Sequence, residues 1–236
     1  MPETPRLGPL TVPKASDVLA AELRERILDG EFAEGTALPA ERELVTQTRM
    51  SRSTVREALR ILEVQGLLRI RTGRGGGAFV RRPGRESVAR SVELVIRGHD
   101  IRLDALLETR EAIEPSCAAL AAVHRTDEDL AALEAATELM AEASAPIEEF
   151  LRANIDWHVA VATAGRNEIL AGLMTALSAA VHGATRAEST RFADPEIRHQ
   201  TVLAHRAVTR AIRAGDAPAA SRRMARHVTA YAAEAR

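Results

Sequence analysis

Between residues 16 and 82 the apolar positions recur first at helical spacing and then in alternation. Leu19, Leu23 and Ile27 form one stripe after Ser16, which suits an N-cap, and Asp29-Gly30 ends the run, so a first helix is predicted there. Pro39 suits the first turn of a short second helix through about Thr48, with Leu44 and Val45 facing inward. Val55, Ala58, Leu59 and Leu62 then fall at i, i+3, i+4 and i+7, which predicts a third helix that buries this face, with Ser51 or Ser53 as cap and Gly66 as stop. Leu67 to Arg71 and Ala78 to Arg81 are short β-prone segments around Thr72-Gly73-Arg74-Gly75-Gly76-Gly77, a hairpin with a glycine-rich tip. Two helices, a turn, a third helix and a hairpin make a winged helix-turn-helix.

After Pro83-Gly84 strand signals disappear. Amphipathic helices are predicted over 86–97, 102–124, 127–144, 147–164, 167–187, 195–214 and 217–234. The expected fold class is mainly α: a disordered tail over 1–13, a winged helix-turn-helix over 14–82, a linker at 83–85 and an all-α antiparallel helical bundle over 86–236. Thr126-Asp127-Glu128-Asp129 reads as a helix start, and Gly215-Asp216 as the end of one helix and the cap of the next. Gly165 and Gly172 read as weaker punctuation. Pro115, inside a helical pattern, is expected to kink or split its helix.

A chain of 236 residues with 46% hydrophobic content can fill two ordinary cores. The single Cys117 excludes an internal disulfide, and Pro2, Pro5, Pro9 and Pro13 stand where a leader needs an apolar run, so a cytoplasmic protein with no membrane association is expected. Aromatics at 3% argue against stacking platforms for single-stranded nucleic acid. The net charge of -1 hides a segregation: residues 49–85 hold ten arginines against two glutamates, a footprint for phosphate. Lys14 is the only lysine, so arginine at any one position says little, and position has to carry the argument.

Position does so on the third helix. Arg52 and Arg56 lie one turn apart, opposite the apolar face, with Ser53 and Thr54 near the helix start. A recognition helix enters the major groove by its first turns, where arginine pairs bidentately with guanine for about 1 to 3 kcal/mol of discrimination. Ser51, Ser53 and Thr54 can donate to phosphates. Gly73, Gly75 and Ala78 also fit G-x-G-x-x-A, but a phosphate cradle runs from strand into helix and here a strand follows, so the glycines are assigned to the wing.

All seven histidines lie after residue 98. His205 precedes Gly215 by ten residues and His227 follows Asp216 by eleven, so in two antiparallel helices both stand at one level, roughly 15 Å from the turn at about 1.5 Å per residue. Asn154 and His158 share a face at i and i+4 and can complete a set of three imidazoles and one amide oxygen.

Leu38-Pro39-Ala40-Glu41-Arg42-Glu43-Leu44, Ser51-Arg52-Ser53-Thr54-Val55-Arg56-Glu57-Ala58-Leu59 and Gly66-Leu67-Leu68 resemble the GntR-type DNA-binding domain. The resemblance implies operator contacts from Arg42, Ser51, Arg52, Ser53, Thr54, Arg56, Thr72 and Gly73. Where the family usually has Gly and Val in the turn, this chain has Arg49 and Met50, and a left-handed backbone there would cost Arg49 about 1 kcal/mol relative to glycine. Leu106-Leu107-Glu108-x-Arg110-x-x-Ile113-Glu114, Trp157-His158, Gly165-Arg166-Asn167 and the His205/His227 pair resemble the FCD ligand-binding domain of FadR-like regulators. That resemblance implies a divalent metal, zinc or nickel, at Asn154, His158, His205 and His227, most often with Asp at the first position. It also implies an effector carboxylate at Arg110, the alternative there being a salt bridge to a nearby glutamate, with His182 and His199 as further cavity candidates. The expected protein is thus a homodimeric repressor that binds a short palindromic operator on double-stranded DNA and responds to a small organic acid. A metalloenzyme is the rival, disfavoured because no H-E-x-x-H appears and no carboxylate stands out as a general base.

Overall fold

The computed structural model describes residues 12–142, 144–184 and 192–235, with side chains described except at 182–184 and 234–235. The tail expected over 1–13 therefore lies, up to residue 11, outside the described residues. The chain divides into two compact units, Met1–Pro83 and Gly84–Arg236.

The first unit holds α1 (Ala15–Leu28), α2 (Glu41–Thr48), α3 (Arg52–Val64), β1 (Leu68–Arg71) and β2 (Gly77–Val80). Its core gathers the predicted stripes, Leu19, Leu23 and Ile27 against Val55, Ala58, Leu59 and Leu62, with Leu38, Leu44, Leu68 and Val80. Helix α1 starts earlier than predicted: Lys14 is the N-cap, without a side-chain bond, and Ser16 is buried within the first turn. Ser51, not Ser53, caps α3, its hydroxyl accepting from the Thr54 amide at 3.1 Å. Between α2 and α3, Arg49 adopts φ 57° and ψ 20°, the left-handed conformation that costs arginine more than it costs glycine.

In the hairpin, Leu68 faces Val80 and Arg71 faces Gly77. A Cβ at Gly76 would stand 2.4 Å from the Arg71 carbonyl oxygen, so only glycine fits this tip. The outer edge of β2 is also paired. Ala37 bridges Phe79, the Leu38 amide donates to the Ala78 carbonyl at 2.8 Å, and the Val80 amide donates to the Thr36 carbonyl at 2.8 Å. Sequence reading missed this third segment because it is too short to show alternation.

The second unit holds α4 (Arg85–Gly98), α5 (Leu103–His124), α6 (Asp127–Ala141), α7 (Ile147–Ala164), α8 (Glu168–Ala184), α9 (Pro195–Arg213) and α10 (Ala217–Ala235), and no strand among the described residues. Helix α5 is central, packed on α7, α8, α9 and α10; α6 lies on α7 and α9, and α4 lies along α8. The helix predicted to reach 144 ends at Ala141, and the one predicted to reach 187 is described to Ala184, its last three predicted positions lying outside the described residues. Pro115 does not split α5, which runs through it as one element. A proline there forfeits one helical bond, but Glu114, Cys117 and Ala118 around it are buried, so packing carries the helix on.

Gly172 is not punctuation either. A Cβ there would stand 2.6 Å from Val88 Cβ and 2.7 Å from the Arg85 carbonyl, so this glycine sets how closely α4 approaches α8. The predicted helix signals at Thr126 and Gly215-Asp216 are both present. Thr126 and Asp129 form a capping box, and Asp216 accepts from the Ala219 amide at 2.9 Å after Gly215 closes α9 in a left-handed turn. Among the described residues no helix is long and apolar enough to cross a membrane.

Candidate functional site

On the first unit, burial of Val55, Ala58, Leu59 and Leu62 leaves the opposite face of α3 in solvent. Arg52, Ser53 and Arg56 are exposed there, Thr54 is half-buried, and Ser51 is exposed at the helix start, where its hydroxyl lies 2.8 Å from those of both Ser53 and Thr54. Arg42 is exposed on α2, and Thr72 and Gly73 are exposed at the hairpin tip. Arg71, stacked over the Phe79 ring at 4.6 Å, stiffens the base of that wing. One contact was not foreseen: the Arg56 Nε donates to Glu41 Oε2 at 2.8 Å.

On the second unit, α7, α9 and α10 bring His158, His205 and His227 together. The His205 and His227 Nε2 atoms are 2.9 Å apart, and the His227 and His158 Nε2 atoms 3.4 Å apart. All three ligand atoms lie within 4.8 Å of one another. Trp157 stacks on His205 with ring centroids 3.9 Å apart, and its indole N–H donates to the Thr209 hydroxyl at 3.2 Å, which fixes the platform. Glu114 holds His158 from behind, its Oε2 lying 2.5 Å from Nδ1, and Arg110 Nε donates to the other carboxylate oxygen at 2.5 Å.

The electrostatics assign the protons. Burial would raise the Glu114 pKa, but the charge of Arg110 and the bonds from Arg110 and His158 override it and hold the carboxyl at about 2. An ionised carboxylate only accepts, so the His158 proton sits on Nδ1 and its Nε2 lone pair faces the other imidazoles. Burial pushes the His158 pKa down, against the pull of Glu114, and lowers His205 further, with His227 and His158 adding to the shift. Neutral imidazoles with converging lone pairs are the form that binds a metal ion.

A cavity of about 340 Å³ is lined by His158 and His227, with Asn154, Arg110, Thr201, Arg223, Arg226 and Tyr231. Asn154 Oδ1 is buried and accepts no hydrogen bond, an orphaned oxygen on a residue that lines the same cavity as His158 and His227. An imidazole set plus an unsatisfied amide oxygen fits a four-ligand divalent site. Asp156, two residues before His158, is exposed and takes no part.

The other sequence candidates fare differently. Arg110 lines the cavity, yet its charge is balanced by Glu114 at its back. His199 does not share this cavity; exposed on α9, it lines a separate hollow with Arg198, Val202 and Arg206. It lies six residues before His205, about 240° around the helix, and so points elsewhere. The His182 side chain lies outside the described residues. The salt bridge from Arg110 to a nearby glutamate, the alternative to an effector contact, is present and its partner is Glu114, at the i, i+4 spacing; what sequence reasoning missed is that Glu114 also holds His158. Arg223 and Arg226 were also missed; they precede His227 by four residues and one, within the arc of α10 that lines the cavity.

Residues 15–80 match the family described as bacterial regulatory proteins, gntR family, and residues 105–230 match the FCD domain. The HTH-type transcriptional repressor NanR of Escherichia coli is 30% identical over 231 residues, 97% of this chain and 87% of that protein, and the protein of the same description in Shigella flexneri matches equally. A solved structure described as Streptococcus agalactiae GntR superposes with a TM-score of 0.69 at 26% identity, over 93% of this chain and 99% of that one. These relatives and both domains are those of transcription regulators rather than enzymes, which sets the metalloenzyme rival aside. With its helix-turn-helix unit followed by a histidine-lined helical one, the chain belongs to the GntR family of bacterial transcription regulators and carries a C-terminal FCD domain.

Proposed function

We propose that the protein is a ligand-responsive repressor that binds a short palindromic operator as a homodimer and is controlled by a small carboxylate in the FCD cavity. The observation that carries this reading is the convergence of three imidazoles within 4.8 Å of one another, beside a cavity that Asn154 with its orphaned amide oxygen also lines, in a chain that also presents a helix-turn-helix. Asn154, His158, His205 and His227 would hold a divalent ion, zinc or nickel, whose Lewis acidity supplies a position for an anionic oxygen. Because all four ligands are neutral, the ion's charge stays uncompensated within its own shell and favours an anion. Glu114 orients His158, as carboxylates behind metal-bound imidazoles do. Arg110, Arg223 and Arg226 add cationic lining, and Thr201 offers a hydroxyl.

Arg42, Ser51, Arg52, Ser53, Thr54 and Arg56, with Thr72 and Gly73 on the wing, make the operator contacts, two copies of α3 entering the two half-sites of the palindrome. The acid biases the FCD unit toward an arrangement with lower affinity for DNA, by differential affinity for the two states. The test is metal analysis of the purified protein, with a thermal-shift screen of carboxylic acids on wild type and on His205→Ala with His227→Ala. The reading expects about one divalent ion per chain, at least one acid that raises the melting temperature and weakens DNA binding, and loss of both ion and response in the double variant. Full metal content in that variant, or no acid acting on wild type in either assay, would overturn it.

A further inference from the structure

The contact between Arg56 and Glu41 joins a base-reading residue to a carboxylate of the neighbouring helix. Arg52, Arg56 and Arg60 are all exposed on α3, yet among the described residues Arg56 is the one of the three with a recorded ion pair. Its partner is the first residue of α2, fifteen positions earlier, so the pair crosses between helices. The bond uses Nε. An arginine reads guanine through two N–H groups at once, either side-on with Nε or end-on with its two terminal nitrogens. With Nε engaged at 2.8 Å, the end-on fork stays available and the side-on one does not. Both side chains stay substantially in solvent, at 70% exposure for Arg56 and 46% for Glu41, so the carboxylate lies beside the surface that meets DNA.

We propose that Glu41 is a positioning and specificity residue of the reader. It holds Arg56 with its terminal nitrogens directed outward, and its negative charge opposes binding to any duplex in which those nitrogens find no guanine. On a matched duplex the guanine O6 and N7 occupy the fork while Nε keeps its carboxylate. On an unmatched duplex Arg56 must turn to a phosphate, which breaks the bond and leaves Glu41 unpaired beside the backbone. Discrimination thus comes from penalising the wrong sequence as well as from rewarding the right one. The inference rests on Arg56 reading bases, as proposed above.

The test uses the full-length protein, a duplex obtained with it by selection from a random pool, and a shuffled duplex of the same composition. Glu41→Gln keeps an acceptor for Nε and removes the charge. It should tighten the shuffled duplex by about fivefold, the factor for one screened unit-charge interaction, with a salt slope steeper by about 0.9, and leave the selected duplex within about twofold. Glu41→Ala removes the acceptor as well and should lower discrimination at the guanine read by Arg56 by about 3- to 10-fold, part of what one bidentate arginine supplies. In an Arg56→Ala background both changes to discrimination should vanish, which a merely structural role for Glu41 would not produce. An unchanged shuffled-duplex affinity and salt slope in Glu41→Gln, or equal shifts on both duplexes while Arg56 is in place, would overturn the proposal. If Arg56→Ala itself left discrimination intact, the reader assignment would fall with it; a silent Glu41→Gln beside an active Arg56→Ala overturns this inference alone.

Discussion

Each unit of the protein sets an arginine against a glutamate, in opposite surroundings. Arg56 and Glu41 meet in solvent on the helix-turn-helix, whereas Arg110 and Glu114 meet inside the FCD unit at 8% and 2% side-chain exposure. In water the pair is worth little to the fold, because screening and side-chain entropy offset most of the attraction. Inside the protein the same chemistry cannot be left half done, since a lone buried charge finds nothing to replace its hydration. The exposed pair can therefore exchange its partners at small cost to the fold. The buried pair is fixed in place by the fold.

The largest expected effect probes the buried side of this contrast. Glu114→Ala strands Arg110 and should destabilise the FCD unit by about 3 to 5 kcal/mol. Cys117 is the gauge: it is the only cysteine, it lies in this unit, and burial, with Glu114 nearby, pushes its thiol up to about 12, so it reacts only after the unit opens. Thiol labelling under native conditions should accelerate by roughly two to four powers of ten in the variant. An unchanged rate would mean that the buried pair is not the constraint described here.

Intermediate in size is Arg49→Gly on the reader, which relieves the left-handed strain at φ 57° and should stabilise the α2–α3 turn by about 1 kcal/mol, read as slower amide exchange there. Faster exchange would show that the Arg49 side chain anchors the turn. Smallest is Glu41→Ala, expected to change the stability of the helix-turn-helix unit by about 0.2 to 1 kcal/mol, followed by amide exchange in α1 and α3. A loss as large as that of Glu114→Ala would erase the distinction between the two pairs.

The same contrast explains what the sequence disclosed. The apolar stripe Val55, Ala58, Leu59 and Leu62 states by its period which way Arg52 and Arg56 point, so the exposed face of α3 was legible from spacing alone. His205 and His227 were legible for a similar reason, since Gly215-Asp216 fixes a turn from which helical rise can be counted. Glu114 was not, because its role needs α5 to lie beside α7, a relation no local period encodes. His199 failed on angular grounds: residue type suggested a cavity, and its place around α9 put it on another hollow. Pro115 shows the opposite case, where burial on both sides keeps as one helix a segment that a local rule allowed to split.

Trp157 is the only tryptophan, and it is stacked on His205 with His158 and His227 at its edges, at 5.0 and 6.3 Å between ring centroids. An indole excited state is quenched by a neighbouring protonated imidazole and responds to electron withdrawal from the ring it stacks on. The chain therefore carries its own fluorophore against the histidines, and the emission of unlabelled protein is a direct optical signal of any change at those three imidazoles.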